Sequence, residues 1–247
     1  EKFMAEEKEE KSLVQYRSKD GQEIRLSFEI VRRFLISGKS ELVTDQEIIL
    51  YMGQCKARGL NPFKRDCYLV KYTENDPAST IVSIDWYRAR AKAQPDCRGW
   101  TAGIVVRHQK DAVPEFREGS FIIEGEELLG GWFRAKPAGW ETERIWSIPL
   151  NKYVKKTREG QPTRFWQKDN QADMISKVAE SQGLRRCWPD EFAKLYIKEE
   201  INDEMPITEQ IADAMPKRAS ETKDVKAEQA KPEQQEPKAD KTTDKLL

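Results

Sequence analysis

The chain has one histidine, His108, and four cysteines, at 55, 67, 97 and 187, none of them in a Cys-x-x-Cys pair. Zinc takes three or four closely set ligands, so no metal site built on these residues is expected. Reduced cysteines filling core positions are the plainer reading. Also missing are a Gly-x-x-x-x-Gly-Lys-Ser/Thr phosphate loop, a Gly-x-Gly-x-x-Gly fingerprint and a Gly-x-Ser-x-Gly elbow. Their absence argues against a nucleotide held in either standard cradle and against a Ser-His-Asp hydrolase. There is no run of 18 apolar residues, so no membrane-spanning segment is expected. The acidic, lysine-bearing start lacks the apolar stretch of a secretory signal, which makes a cytoplasmic setting the expectation.

Apolar residues are also scarce, at 38%, while charged residues reach 35% and balance at 43 against 43. Part of the chain therefore builds no core. The termini are poor in aromatic and β-branched residues, whereas all seven tryptophans fall between positions 86 and 188. The expected organisation is a disordered segment over 1–23, one core over 24–200, a short helix or linker over 201–215 and a disordered tail over 216–247.

Within the core, Ser27 is placed to N-cap a helix with Ile30, Val31, Phe34 and Leu35 on one face and Gly38 as its stop. Thr44 and Glu47 form a capping box for a second helix, with Ile48, Ile49, Met52 and Cys55 as its stripe and Gly59 after its end. Extended stretches at 66–72 and 80–84 flank a turn at 74–77, and a short helix covers 85–93. Three more extended stretches lie at 100–107, 130–135 and 143–148, while the acidic residues 111–127 read as a loop or edge hairpin. Pro149 can start a short helix to Val154. A long helix is expected over 170–186, burying Met174, Ile175, Val178 and Ala179. Asp190 would cap a last one carrying Phe192, Leu195 and Tyr196, and 207–215 also has a helical pattern. Helices, then strands and hairpins, then helices is an α+β order: a small antiparallel sheet with hairpins, flanked by helices, between disordered charged tails.

Net neutrality hides a polarised core. Residues 56–92 carry 8 basic and 4 acidic side chains, 134–168 carry 9 and 3, and 169–215 carry 5 and 11. The middle segment interleaves Lys152, Lys155, Lys156, Arg158, Arg164 and Lys168 with Tyr153, Phe165 and Trp166. Cations that neutralise phosphates beside rings that stack on bases suit single-stranded nucleic acid. A plainer origin exists for each: lysines on a solvated face, Trp166 in the core, and Arg185 and Arg186 complementing a helix C-terminus.

Four stretches occur in order: Gly59-Leu60-Asn61-Pro62-Phe63 with Arg65, Asp66 and Tyr68; Ser83-Ile84-Asp85-Trp86 with Tyr87-Arg88; Lys156-Thr157-Arg158-Glu159-Gly160 with Trp166-Gln167; and Met174 to Glu180 with Leu184-Arg185 and Trp188-Pro189-Asp190-Glu191-Phe192. Over roughly residues 25–200 this set resembles the phage recombination protein Bet family, the lambda Red beta and RecT type of single-strand annealing protein. The resemblance implies single-stranded DNA in a basic groove between the sheet and later helices. It implicates Arg65, Lys152, Lys156, Arg158 and Arg185 in phosphate contacts, with Trp166 lining the groove and Lys71 and Lys177 near basic family positions. Ala172 and Asp173 depart from the pattern, standing where the family has lysine or arginine. The first stretch also has a reading of its own. Gly59 ends a helix, Pro62 blocks its resumption, and Asn61 can cap the resulting turn, projecting Arg65 and Lys71 from one end of a sheet.

The activity implied is ATP-independent annealing by a homo-oligomer, ring or helical filament, that holds single strands and the annealed duplex and needs no cofactor. A partner exonuclease and the host single-strand-binding protein are the further partners it implies, in a bacterial cell and from a phage or prophage gene. Two other readings stay open. A metal-dependent nuclease or other recombination hydrolase would use carboxylates such as Asp85, Glu124, Glu126, Glu141 and Glu143 for Mg²⁺. A plain coating protein would share the charge pattern but retard pairing. The tail composition cannot pack, so deleting 216–247 should leave the annealing rate of complementary oligonucleotides unchanged; a lost rate would give the tail a direct role.

Overall fold

The computed structural model describes residues 13–108, 112–157 and 159–201. Strand β1 (Leu13–Arg17) pairs antiparallel with β2 (Glu23–Ser27), and α1 (Phe28–Phe34) follows at once. Ser27 caps it, its hydroxyl accepting from the Ile30 amide. Next come β3 (Ile36–Gly38), α2 (Asp45–Arg58), β4 (Cys67–Lys71), β5 (Ser79–Val82) and α3 (Ile84–Lys92). The second half has β6 (Trp100–Arg107), β7 (Glu115–Glu118), β8 (Glu127–Ala135) and β9 (Arg144–Pro149), then α4 (Gln171–Cys187) and the single turn α5 (Pro189–Phe192).

The α+β class is as expected, but the strands form three sheets rather than one. Beside the β1–β2 hairpin stand a β3-β4-β5 sheet and an antiparallel sheet of order β7-β6-β8-β9. One pairing, β3 with β4, is parallel. Gly38 makes it possible: at φ +86° a Cβ would overlap the Lys71 carbonyl, so this glycine closes a strand pair and does not stop the helix.

Residues 13–23 were expected to lack structure, and from Leu13 onward they form the hairpin. Ile24 and Leu26 are buried while their neighbours face water. The strands are five residues long and charged on the outer face, so composition masks their period of two. The hairpin is fastened to the Asn-Pro corner, where the Tyr16 hydroxyl donates to the Leu60 carbonyl at 2.7 Å and the Asn61 amide to Gln22 at 2.9 Å. The corner itself forms as read. The Asn61 side chain accepts from the Phe63 and Lys64 amides, and Arg65 turns the chain at φ 62°. Residues 1–12, the linker over 202–215, with the helical pattern at 207–215, and the tail over 216–247 lie outside the described residues.

The main core lies where α4 crosses the four-stranded sheet. Ile175, Val178, Ala179 and Leu184 meet Ile104, Val106, Phe133 and Ile148, all buried. Each such side chain contributes about 1.5–3 kcal/mol. Gly183 sets the approach, since any Cβ there would overlap the Phe133 ring. On α2 the expected stripe shifts: Ile48, Met52 and Cys55 are buried, Tyr51 joins them, and Ile49 stays 63% exposed. The last helix is shorter than expected. Ala193 is extended and Lys194 left-handed, so Leu195 and Tyr196 leave the helix, and the Tyr196 carbonyl accepts from the Val82 amide of β5.

Lys71, expected at a DNA groove, is internal. Its side chain is 5% exposed, and Nζ donates to Glu47 at 2.8 Å. The same carboxylate accepts from the Ala78 amide at 2.7 Å and from the Thr44 amide at 2.8 Å, completing the capping box. Burial alone would raise the Glu47 pKa, but these donors hold it below its ordinary value. With the folded pKa depressed, its contribution is complete above the ordinary carboxylate range and is lost as pH falls through the folded value. Replacing Lys71 by alanine should therefore cost on the order of 3 kcal/mol in urea denaturation at neutral pH. Glu47→Gln should flatten the acid limb of stability; an acid limb like the parent's would show that Glu47 is not a source of it.

Candidate nucleic-acid interface

Much of the basic content of the first half is held by carboxylates of the same chain. Arg88 holds Glu180 at 2.7 Å, Arg90 holds Glu191 at 2.9 Å, and Arg107 holds Glu127 at 2.5 Å. From position 144 onward the pattern changes. Arg144, Lys152, Lys156, Arg164, Lys168, Lys177, Arg186 and Lys198 make no ion pair within 4.0 Å among the described residues. A cation that no carboxylate of the chain already holds is the more available to a phosphate.

Several of these cations lie against aromatic faces. On β9, the sheet's edge strand, Trp146 donates its indole N–H to Gln182 of α4 at 3.1 Å, and the Gln182 amide donates to the Tyr153 hydroxyl at 2.7 Å. Edge strand, helix and the 150–153 turn are thus locked together. One turn beyond Gln182, the Arg186 guanidinium lies 3.5 Å from the Trp146 ring centre, and Arg144 lies 5.2 Å from that of Trp140. Further along, Lys155 donates to the Lys198 carbonyl at 3.2 Å, and Lys198 Nζ sits 3.8 Å from the centre of the Phe165 ring. Lys156 bridges to Pro162 at the base of the loop.

The expected site residues divide. Lys152 and Lys156 are exposed along this stretch, and Arg158 lies outside the described residues. Arg65 is exposed at the Asn-Pro corner, in a cavity of about 750 Å³ where Lys19, Lys64 and Arg90 are balanced by Asp20, Asp66 and Asp85. Lys177 is half-buried on α4, nine residues from Arg186 and so about 180° away around the helix. Trp166, expected to line the groove, is 1% exposed and belongs to the core, while its neighbour Phe165 is 49% exposed.

Arg185 is internal too. It donates to Glu200 at 2.6 Å, to the Leu195 carbonyl at 2.5 Å and to the Tyr87 hydroxyl at 3.2 Å, and Glu200 is 3% exposed. Burial opposes its charge, but Glu200 more than offsets this and pushes the pKa up. A trough running through Arg65, Lys156 and Arg185 therefore does not form. The residues that the sequence reading missed, Trp140, Arg144, Trp146 and Lys198, carry one faint signal: Arg144 and Trp146 alternate along an edge strand.

The carboxylates proposed for Mg²⁺ do not gather. Among the described residues the one group with metal-like spacing is His108, Glu115 and Glu126, and it includes only one of the five. Arg117 already fills it, donating to both glutamates and holding the Glu126 pKa down at about 2.

A model of the RecT family matches residues 21–214, the greater part of the chain. No curated protein matches it.

Adjacent arginines of α4 should behave oppositely. Arg185→Ala leaves Glu200 buried and unpaired and should cost about 3–5 kcal/mol in urea denaturation. Arg186→Ala should stay within about 0.5 kcal/mol. Equal costs would mean that Glu200 does not depend on Arg185.

Proposed function

Because the chain belongs to the RecT family, a family of single-strand annealing recombination proteins, we propose that it binds single-stranded DNA along the face formed by residues 144–168 and the outer side of α4, and pairs complementary strands there. The observation that carries this reading is the run of cations with no internal carboxylate, set beside ring faces. Lys152, Lys156 and Arg164 neutralise phosphates, so two strands can approach without their full mutual repulsion. The released energy is that of the duplex, on the order of 1.4 kcal/mol per base-pair step, so no nucleotide need be hydrolysed. Copies of the chain side by side, in a ring or filament, would hold a strand extended. The setting proposed is the cytoplasm of a bacterial host; no described helix is long and apolar enough to cross a membrane.

The test is annealing of labelled complementary oligonucleotides, with and without Mg²⁺, alongside binding titrations across salt. Annealing should be faster than the spontaneous rate, and the strands should stay intact; cleavage without annealing would overturn the proposal. The Lys152→Ala, Lys156→Ala, Arg164→Ala triple variant should bind single strands more weakly. Its slope of log affinity against log salt should be shallower by about 0.7 per lost phosphate contact. An unchanged slope would move the DNA face elsewhere.

A further inference from the structure

Between the β8–β9 turn, the edge strand β9 and the last two turns of α4 lies a cavity of about 400 Å³. Its walls include Phe133, Trp140, Arg144, Trp146, Gly183 and Arg186. The volume is within the range of small-ligand sites, roughly 300–1,000 Å³. Two features set it apart from a gap in packing. Its two guanidiniums have no carboxylate partner among the described residues, and each lies over an indole, Arg186 on Trp146 and Arg144 on Trp140. One wall of the slot is also held in place. Trp146 is pinned by Gln182, which Tyr153 pins in turn, and Gly183 lets the helix seat directly on Phe133.

Flat apolar walls with uncompensated positive charge fit a planar ring attached to an anion, which is a nucleobase with its phosphate. We infer that this slot is a stacking site for a base of the bound strand: the Trp140 ring takes the face of the base, and Arg144 and Arg186 take the adjoining phosphate. The inference rests on the single-strand reading above and specifies how one nucleotide is held.

The polar groups around the slot bear on sequence preference. The indole N–H of Trp146 is directed at the side-chain carbonyl of Gln182 and the Gln182 amide at the Tyr153 hydroxyl, so the nearest neutral polar groups are drawn into contacts within the protein and away from a base edge. Recognition is through the π-face, which every base has, and the Watson–Crick edge stays open to a second strand. A site that hydrogen-bonded base edges would block the pairing that annealing requires. A wall already held in place also reduces the ordering cost of binding.

The experiment compares affinity of the full chain for oligothymidylate and for an abasic strand of the same length, at fixed salt. The parent protein should prefer the base-bearing strand by about tenfold, the scale of one stacking contact. Trp140→Ala should lose most of that preference without changing the salt slope, and Trp140→Phe, which keeps a ring, should retain it. Arg186→Gln, an exposed change, should lower both the preference and the salt slope. The inference fails if Trp140→Ala keeps the parent's preference, if Trp140→Phe does no better than Trp140→Ala, or if Arg186→Gln moves neither quantity. If strands still bind and anneal in such a case, only the slot is disproved; if no single strand binds at all, the family-based reading falls with it.

Discussion

Inside the molecule the Arg185 guanidinium closes on Glu200, and the arrangement of the outer side of α4 follows from that contact. Glu200 also accepts from Ser181 at 2.7 Å, while Arg185 reaches the Leu195 carbonyl and Tyr87. One ion pair therefore gathers α4, α3 and the chain that returns after α5. With Arg185 turned inward, its neighbour is rotated about 100° around the helix, and Arg186 comes to lie over Trp146 on the outside. Helix phase, fixed by a buried charge, decides which of two identical side chains faces solvent.

Features closed within a few residues were legible in the sequence. The Thr44–Glu47 capping box, the Ser27 cap and the Asn61 turn depend on local backbone geometry, and each formed as read. What was not legible has a common cause: the deciding partner is remote in sequence. Lys71 looks like a surface cation until Glu47, on another element, is brought to it. Arg185 looks like its neighbour until Glu200 is. Trp166 and Phe165 are adjacent rings in a short turn, and only packing against α4 decides which is buried. The β1–β2 hairpin escaped because its strands are short and its outward residues charged. Of the candidate site residues, Lys152 and Lys156 are exposed, whereas Lys71, Trp166 and Arg185 turn inward to partners that their sequence neighbours do not reveal.

Charge segregation explains how a neutral chain can favour one face for an anionic polymer. The four-stranded sheet has two edges of opposite character. Around β7 lie Glu115, Glu118, Glu124, Glu126 and Glu127 against Arg107, Arg117 and the His108 ring, whereas β9 and the residues after it carry Arg144, Lys152, Lys155 and Lys156. Screening limits each field to about 8–10 Å at physiological salt, less than the width of the sheet, so each edge acts locally. A polyanion is repelled at one edge and attracted at the other, and the sum of charges does not describe the encounter.

This arrangement also constrains how a strand can be gripped if it is to be paired. Cations at phosphates fix the backbone but leave bases free to stack within their own strand or fold back. Rings and guanidinium planes that take a base by its face oppose both, and they do so without using the edge that carries sequence information. Hydrogen-bond donors and acceptors near such a site would compete for that edge unless they were already satisfied. Around β9 and α4 the neutral polar groups are engaged with one another, by the chain of bonds from Trp146 through Gln182 to Tyr153, which leaves the two guanidiniums for an anion. The three residues that hold this wall in place therefore also keep their own polar groups from competing for a base edge, as a face that pairs strands would require.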